Sequence, residues 1–155
     1  MRIEDNIKSQ ILFVCTGNTC RSPMAAAIFN NYAERENRNW FAISAGLAAE
    51  RGLPVSPEAK EALAVVGINL EDHRSRQLDE KMIKDAEIVL TMTATQRDLL
   101  RIYYPDMAEK IFTICEFIGM EEDIKDPYSG PLEIYQETAE ILISIMPYIF
   151  KNLTN

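Results

Sequence analysis

The chain has 155 residues, 47% of them hydrophobic and 26% charged, the make-up of one globular domain with a core of ordinary size. Its formal charge of −8 supplies no broad basic surface, which excludes a general nucleic-acid binder and a protein held on anionic membrane. Three cysteines, an odd number, do not make a secreted disulfide scaffold, and no apolar run reaches the roughly 20 residues that span a bilayer; the expectation is a soluble, cytoplasmic protein.

Residues 1–10 are polar, lack the apolar core of a signal peptide and read as a short leader to a domain over 11–155. Ile11, Leu12, Phe13 and Val14 read as a buried strand running into Cys15. Over 22–37, Pro23 in a permitted first-turn position, three alanines, and Met24, Ala27, Ile28 and Ala33 at helical spacing predict a helix. A second strand is expected over 40–44, closed by Ala45 and Gly46, and a surface loop over 47–55. Ser56 as N-cap and Pro57 at the first helical position open a helix that should run to Val66 and stop at Gly67. Residues 68–77 are irregular and hold the single histidine, His73. A short helix over 79–84 leads to a third strand over 86–92, a helix over 94–103 ends before Pro105, and a fourth strand is expected over 110–117. After an acidic, turn-rich stretch over 119–131 comes a last helix over 132–150, which Pro147 should kink or shorten. Strands alternating with helices predict a single α/β domain of three layers, a four-stranded parallel sheet flanked by helices and doubly wound with right-handed crossovers. In such sheets ligands gather beyond the carboxyl ends of the strands, where Cys15 stands.

Cys15 and Arg21 form Cys-x5-Arg, followed by Ser22 and Pro23. A phosphoryl group needs a nucleophile below phosphorus and donors around its equatorial oxygens. Backbone amides over 16–21 and the forked guanidinium of Arg21 supply such donors, and the helix start adds positive potential. Surroundings of that kind hold a thiol as thiolate. Ser22 is placed to hydrogen-bond the sulfur, Gly17 permits close backbone approach, and Asn18 is suited to brace the loop through its amide or a left-handed conformation. An isolated Cys-x5-Arg is otherwise a strand-end cysteine and a surface arginine; the preceding strand, the Gly-Asn pair and the Ser-Pro helix start decide for an anion site. No Gly-Lys-Ser/Thr is present, so the loop is not of the Walker type. A thiolate mechanism also needs a proton donor, and Asp126, held by Pro127 in the loop after the fourth strand, is the candidate, with Asp123 a weaker competitor.

The string from Cys15 through Thr16, Gly17, Asn18, Thr19, Cys20, Arg21 and Ser22 to Pro23, then Ser44-Ala45-Gly46, His73 with Ser75 and Arg76, and Asp126-Pro127-Tyr128, resembles the low-molecular-weight protein-tyrosine-phosphatase family over nearly the whole chain. The resemblance implies Cys15 as nucleophile, Arg21 as phosphate clamp and Asp126 as general acid. Thr16, Gly17, Thr19 and Cys20 would complete the phosphate loop, with Asn18, Ser22 and His73 as its supports. It implies no metal and no cofactor, phosphorylated proteins or peptides as partners, and a monomer or weak homodimer. Thr19 stands where tyrosine-directed members usually carry an aliphatic residue, whereas a related bacterial branch acting on phosphoarginine carries threonine. Leu47 and Tyr128 would flank the substrate; one aromatic after Asp126-Pro127, and Leu47-Ala48-Ala49 in place of another, thin the aromatic wall expected for phosphotyrosine. Phosphoarginine is favoured, with phosphotyrosine as the alternative. The resemblance further implies a reversible disulfide between Cys15 and Cys20; the other reading of Cys20 is a small buried residue. Cys115 is expected in the core of the fourth strand. An arsenate reductase on the same scaffold would need a cysteine relay that Cys115 alone does not form, and a phosphoprotein-binding module or redox sensor would have no use for Asp126.

Overall fold

A computed structural model of the chain describes residues 7–153. Its sheet has four parallel strands, β1 (Ser9–Cys15), β2 (Trp40–Gly46), β3 (Ile88–Thr91) and β4 (Ile111–Thr113), in the order β2-β1-β3-β4. The continuous apolar run in β1 follows from its central place. Ile11, Phe13 and Cys15 face one core with α1 (Arg21–Arg35), α2 (Pro57–Ala64) and α6 (Leu132–Asn152), while Leu12 and Val14 face a second core with α3 (Glu80–Asp85) and α4 (Ala94–Tyr103). Both the α/β class and the four-stranded parallel sheet expected from the sequence are present. The chain leaves β1 toward β2 and later returns to its other side as β3, so the winding reverses beside β1 and opens a crevice at its carboxyl end.

The helix starts follow their capping residues. Ser56 accepts from Ala59 N–H at the start of α2, and Asp79 accepts from Met82 N–H at the start of α3. Thr93 and Gln96 close a capping box on α4.

Several expected boundaries move. The proposed leader falls largely outside the described residues, and its last two residues, Ser9 and Gln10, already belong to β1. Helix α2 ends at Ala64 rather than Val66, with Gly67 then taking a positive φ of 82°. A 3-10 turn over Pro105–Lys110, unforeseen from the sequence, precedes β4. The fourth strand does not extend to Phe117. Thr113 accepts from Glu116 N–H and Glu116 accepts from Thr113 N–H, so a capping box ends β4 and starts the short α5 (Ile114–Phe117). Cys115 is therefore buried in a helix and not in a strand. Pro147 does not shorten α6, which runs on to Asn152.

Candidate active site

Residues 15–22 join the end of β1 to the start of α1 as a tight loop around one sulfur. Cys15 is 2% exposed. Its Sγ lies 2.9 Å from Ser22 Oγ and accepts from Asn18 N–H at 3.3 Å. Asn18 takes the left-handed conformation, φ 58°, which asparagine tolerates better than most residues and which turns its amide toward the sulfur.

The side chain of Asn18 holds the loop in shape. Its Oδ1 accepts from Arg76 N–H at 3.0 Å, which fixes the amide's orientation, and its Nδ2 donates to Ser22 Oγ and to Ser44 Oγ, each at 2.9 Å. Ser22 Oγ has thereby accepted a hydrogen bond, and its own proton is free for the sulfur. Asn18 C=O meets His73 Nε2 at 2.8 Å; a carbonyl only accepts, so Nε2 carries the proton. Burial pushes the His73 pKa below its ordinary value, and the nearby Arg74 and Arg76 add to that. Around the same loop, Leu47 and Ala48 N–H donate to the carbonyls of Cys15 and Thr16, and Ser56 N–H donates to Thr19 C=O. Gly46 is needed for this closeness: a Cβ there would stand 2.6 Å from Thr16 O and 3.1 Å from Asn18 Cβ.

Arg21 is 4% exposed at the first position of α1. Its Nη1 donates to Ile124 C=O at 2.9 Å, its Nη2 lies 3.6 Å from Asp126 Oδ2, and its buried Nε has no partner among the described residues. A buried donor without a partner costs about 1–3 kcal/mol, a cost that a bound anion removes. Asp126 is half exposed, and its Oδ1 accepts from Tyr128 N–H at 3.0 Å, which ties the carboxylate to its own turn. The competing Asp123 instead accepts from Ala94 N–H at 3.0 Å at the start of α4. All three cysteines are free thiols. Cys20 Sγ points at Asp126 Oδ1, 3.9 Å away, and burial, with Cys15 and Asp126 close by, pushes its pKa up to about 12. Among the described residues no group of three or more His, Cys, Asp or Glu is arranged to hold a metal ion, and no helix is long and apolar enough to cross a membrane.

A groove of about 660 Å³ opens over this arrangement, with Thr16, Arg21, Leu47, Gln96 and Asp126 in its wall. Thr19 is half-buried and is not part of that wall, and Tyr128, 71% exposed, also lies outside it. Gln96 was not foreseen. It is buried, its Oε1 accepts from Met92 and Thr93 N–H, and its Nε2 donates to Thr16 Oγ1 at 3.0 Å. The Thr-x-x-Gln spacing of a capping box was its only sequence signal. Ser44 and Arg76 stand in stretches that carry the family resemblance, without a role assigned to them there, and the Ile124 carbonyl carried no signal.

Residues 10–155 match the family described as low molecular weight phosphotyrosine protein phosphatase. Among curated proteins, the protein-arginine-phosphatase of Bacillus subtilis (strain 168) is 39% identical over 144 residues, 92% of this chain and 95% of that one. Among solved structures, the low molecular weight protein tyrosine phosphatase from T. tengcongensis superposes with a TM-score of 0.92 at 46% identity, over 94% of this chain and 100% of that one. A cysteine-to-serine mutant of the arginine phosphatase YwlE, with a phosphorylated active-site serine, superposes with a TM-score of 0.89 at 38% identity, over 92% of this chain and 93% of that one. With its cysteine loop on the switch point of a four-stranded parallel sheet, the chain belongs to the low molecular weight phosphotyrosine protein phosphatase family.

Proposed function

We propose that the chain is a cysteine-dependent protein phosphatase that hydrolyses phosphoarginine in proteins through a phosphocysteine intermediate, with Cys15, Arg21 and Asp126 as its catalytic residues. One arrangement carries the reaction class: a buried thiol that accepts from the Asn18 amide, an arginine with a free donor, and a half-exposed carboxylate 3.6 Å from that arginine. In the first step Cys15 Sγ attacks phosphorus in line, the P–N bond breaks, and Asp126 gives its proton to the departing guanidine nitrogen. Loop amides and Arg21 hold the equatorial oxygens as charge develops on them. In the second step Asp126 takes a proton from water, the water oxygen attacks phosphorus, the S–P bond breaks, and the Ser22 hydroxyl stabilises the thiolate that leaves. The phosphoserine trapped in the YwlE mutant supports a covalent intermediate at the corresponding place. Thr16, Gly17, Asn18, Thr19 and Cys20 shape the phosphate loop, and His73 braces it.

Thr19, the aromatic-free Leu47-Ala48 side of the groove and the protein-arginine-phosphatase relative favour phosphoarginine. Phosphotyrosine is the second reading, favoured by the name of the T. tengcongensis enzyme at its higher identity. A reducing cytoplasm suits three free thiols, and the catalytic domain takes in Ser9 and Gln10 as the start of β1.

The test is a side-by-side kcat/KM for phosphoarginine and phosphotyrosine peptides in the wild type, Cys15→Ser and Thr19→Ile proteins. Cys15→Ser should fold and lose all turnover; full residual activity overturns the reaction class. Thr19→Ile should shift the preference toward phosphotyrosine by about tenfold, the scale on which a pocket resolves one small apolar or hydroxyl change. An unchanged ratio removes Thr19 as the substrate determinant.

A further inference from the structure

Helix α4 carries apolar residues on two sides. Leu100 is fully buried against the sheet, whereas Leu99, Ile102 and Tyr103 are 39%, 72% and 68% exposed. Their spacing of three and four residues puts them in one outward stripe. Single exposed apolar residues are ordinary on a protein surface. What sets this stripe apart is its continuity with the site: Leu99 and Tyr103 line the same groove as Thr16, Arg21 and Asp126.

The groove follows α4 from Gln96, beside the loop, to Tyr103, about 10 Å along the axis at 1.5 Å per residue. A phosphorylated side chain whose phosphoryl group sits in the 15–22 loop occupies only the loop end. A protein substrate continues on both sides of that residue, so catalysis itself delivers its neighbours to the rest of the groove. An extended chain covers about 10 Å in three residues. At that distance the groove is apolar on its α4 side, where Leu99 and Tyr103 stand, while the charged lining, Arg21, Asp123, Lys125 and Asp126, lies toward the loop end and the opposite side.

We infer that Leu99 and Tyr103 form a docking subsite for an apolar side chain of the substrate polypeptide, three residues from the phosphorylated one. The inference rests on the protein-phosphatase reading and extends it from the reacting group to the surrounding sequence.

The experiment measures kcat/KM for para-nitrophenyl phosphate and for two peptide series, one carrying phosphoarginine and one phosphotyrosine, with Leu or Ser at the third position on either side. Leu99→Ser and Tyr103→Ser are compared with the wild type and with Tyr148→Ser, an exposed residue of α6. The wild type should prefer the Leu peptide about tenfold, mainly through KM, and both groove variants should lose that preference while keeping aryl phosphate turnover within a factor of two. Tyr148→Ser should behave as wild type. No Leu preference in either series, a preference that survives both substitutions, or an equal loss on peptide and aryl phosphate overturns the subsite. Failure of the phosphoarginine reading leaves the phosphotyrosine series to decide it, and absence of all turnover in the wild type overturns the phosphatase reading instead.

Discussion

Asn18 holds the loop around Cys15 through its amide, its carbonyl and its side chain at once. Its backbone amide faces the sulfur, its side chain joins Ser22 to Ser44 and Arg76, and its carbonyl receives His73. Asn18→Ala removes three side-chain hydrogen bonds from a buried centre and places alanine at a positive φ. At about 1 kcal/mol per bond, kcat should fall about a hundredfold, with a lower urea midpoint on the same protein. Arg21→Lys keeps the charge but loses the fork, and should cost about a hundredfold or more in kcat/KM. His73 adds a pH dependence. Its pKa is lowered in the fold, so the native state binds fewer protons than the unfolded one. Stability is therefore full above pH 6.5 and falls as pH drops through the folded value. Urea titrations from pH 7 to 5 should show this slope in the wild type and a flatter one in His73→Gln.

At the scale of elements, what was legible in the sequence is what is contiguous. The loop from Cys15 to Ser22 could be read because strand, turn glycine, asparagine and helix start follow one another, and Asp126 because proline marks its turn. Asn18, Ser22 and His73 were legible as supports of the loop, but their distant partners were not: nothing local tells that Ser44 pairs with Asn18 or which carbonyl takes Arg21 Nη1. The fourth strand is shorter than its apolar run suggests for a related reason. Ile111 to Phe117 is apolar enough for either a strand or a buried helix, and the Thr113–Glu116 capping box, though visible, competes with that run. Gln96 shows such a box doing two tasks, ending the turn before α4 and reaching Thr16. Gln96→Leu leaves Thr93 N–H without its acceptor and should cost about 1–3 kcal/mol in urea unfolding. Gln96→Glu retains the acceptor and should recover part of that loss.

For the molecule as a whole, the site is an assembly of distant segments: 15–22, 44–48, 73–76, 93–96 and 124–126. None forms a site alone, and all hang on the central strand. Activity should therefore vanish cooperatively. In urea, the midpoint for loss of turnover should coincide with that for loss of helical circular dichroism; a separate, earlier loss of activity would show that the loop melts on its own.

The strand order β2-β1-β3-β4 also bears on how the protein is made. On the ribosome, β1 and β2 emerge early and can pair, yet Gln96, Ile124 and Asp126 are still unsynthesised. The growing chain thus carries Cys15 long before it has Ile124, the carbonyl anchor of Arg21, or Asp126, the proton donor proposed for it. A prematurely released fragment ending between β2 and β3 would be a bare thiol rather than a weak enzyme, open to alkylation or mixed disulfides and unable to turn over phosphate.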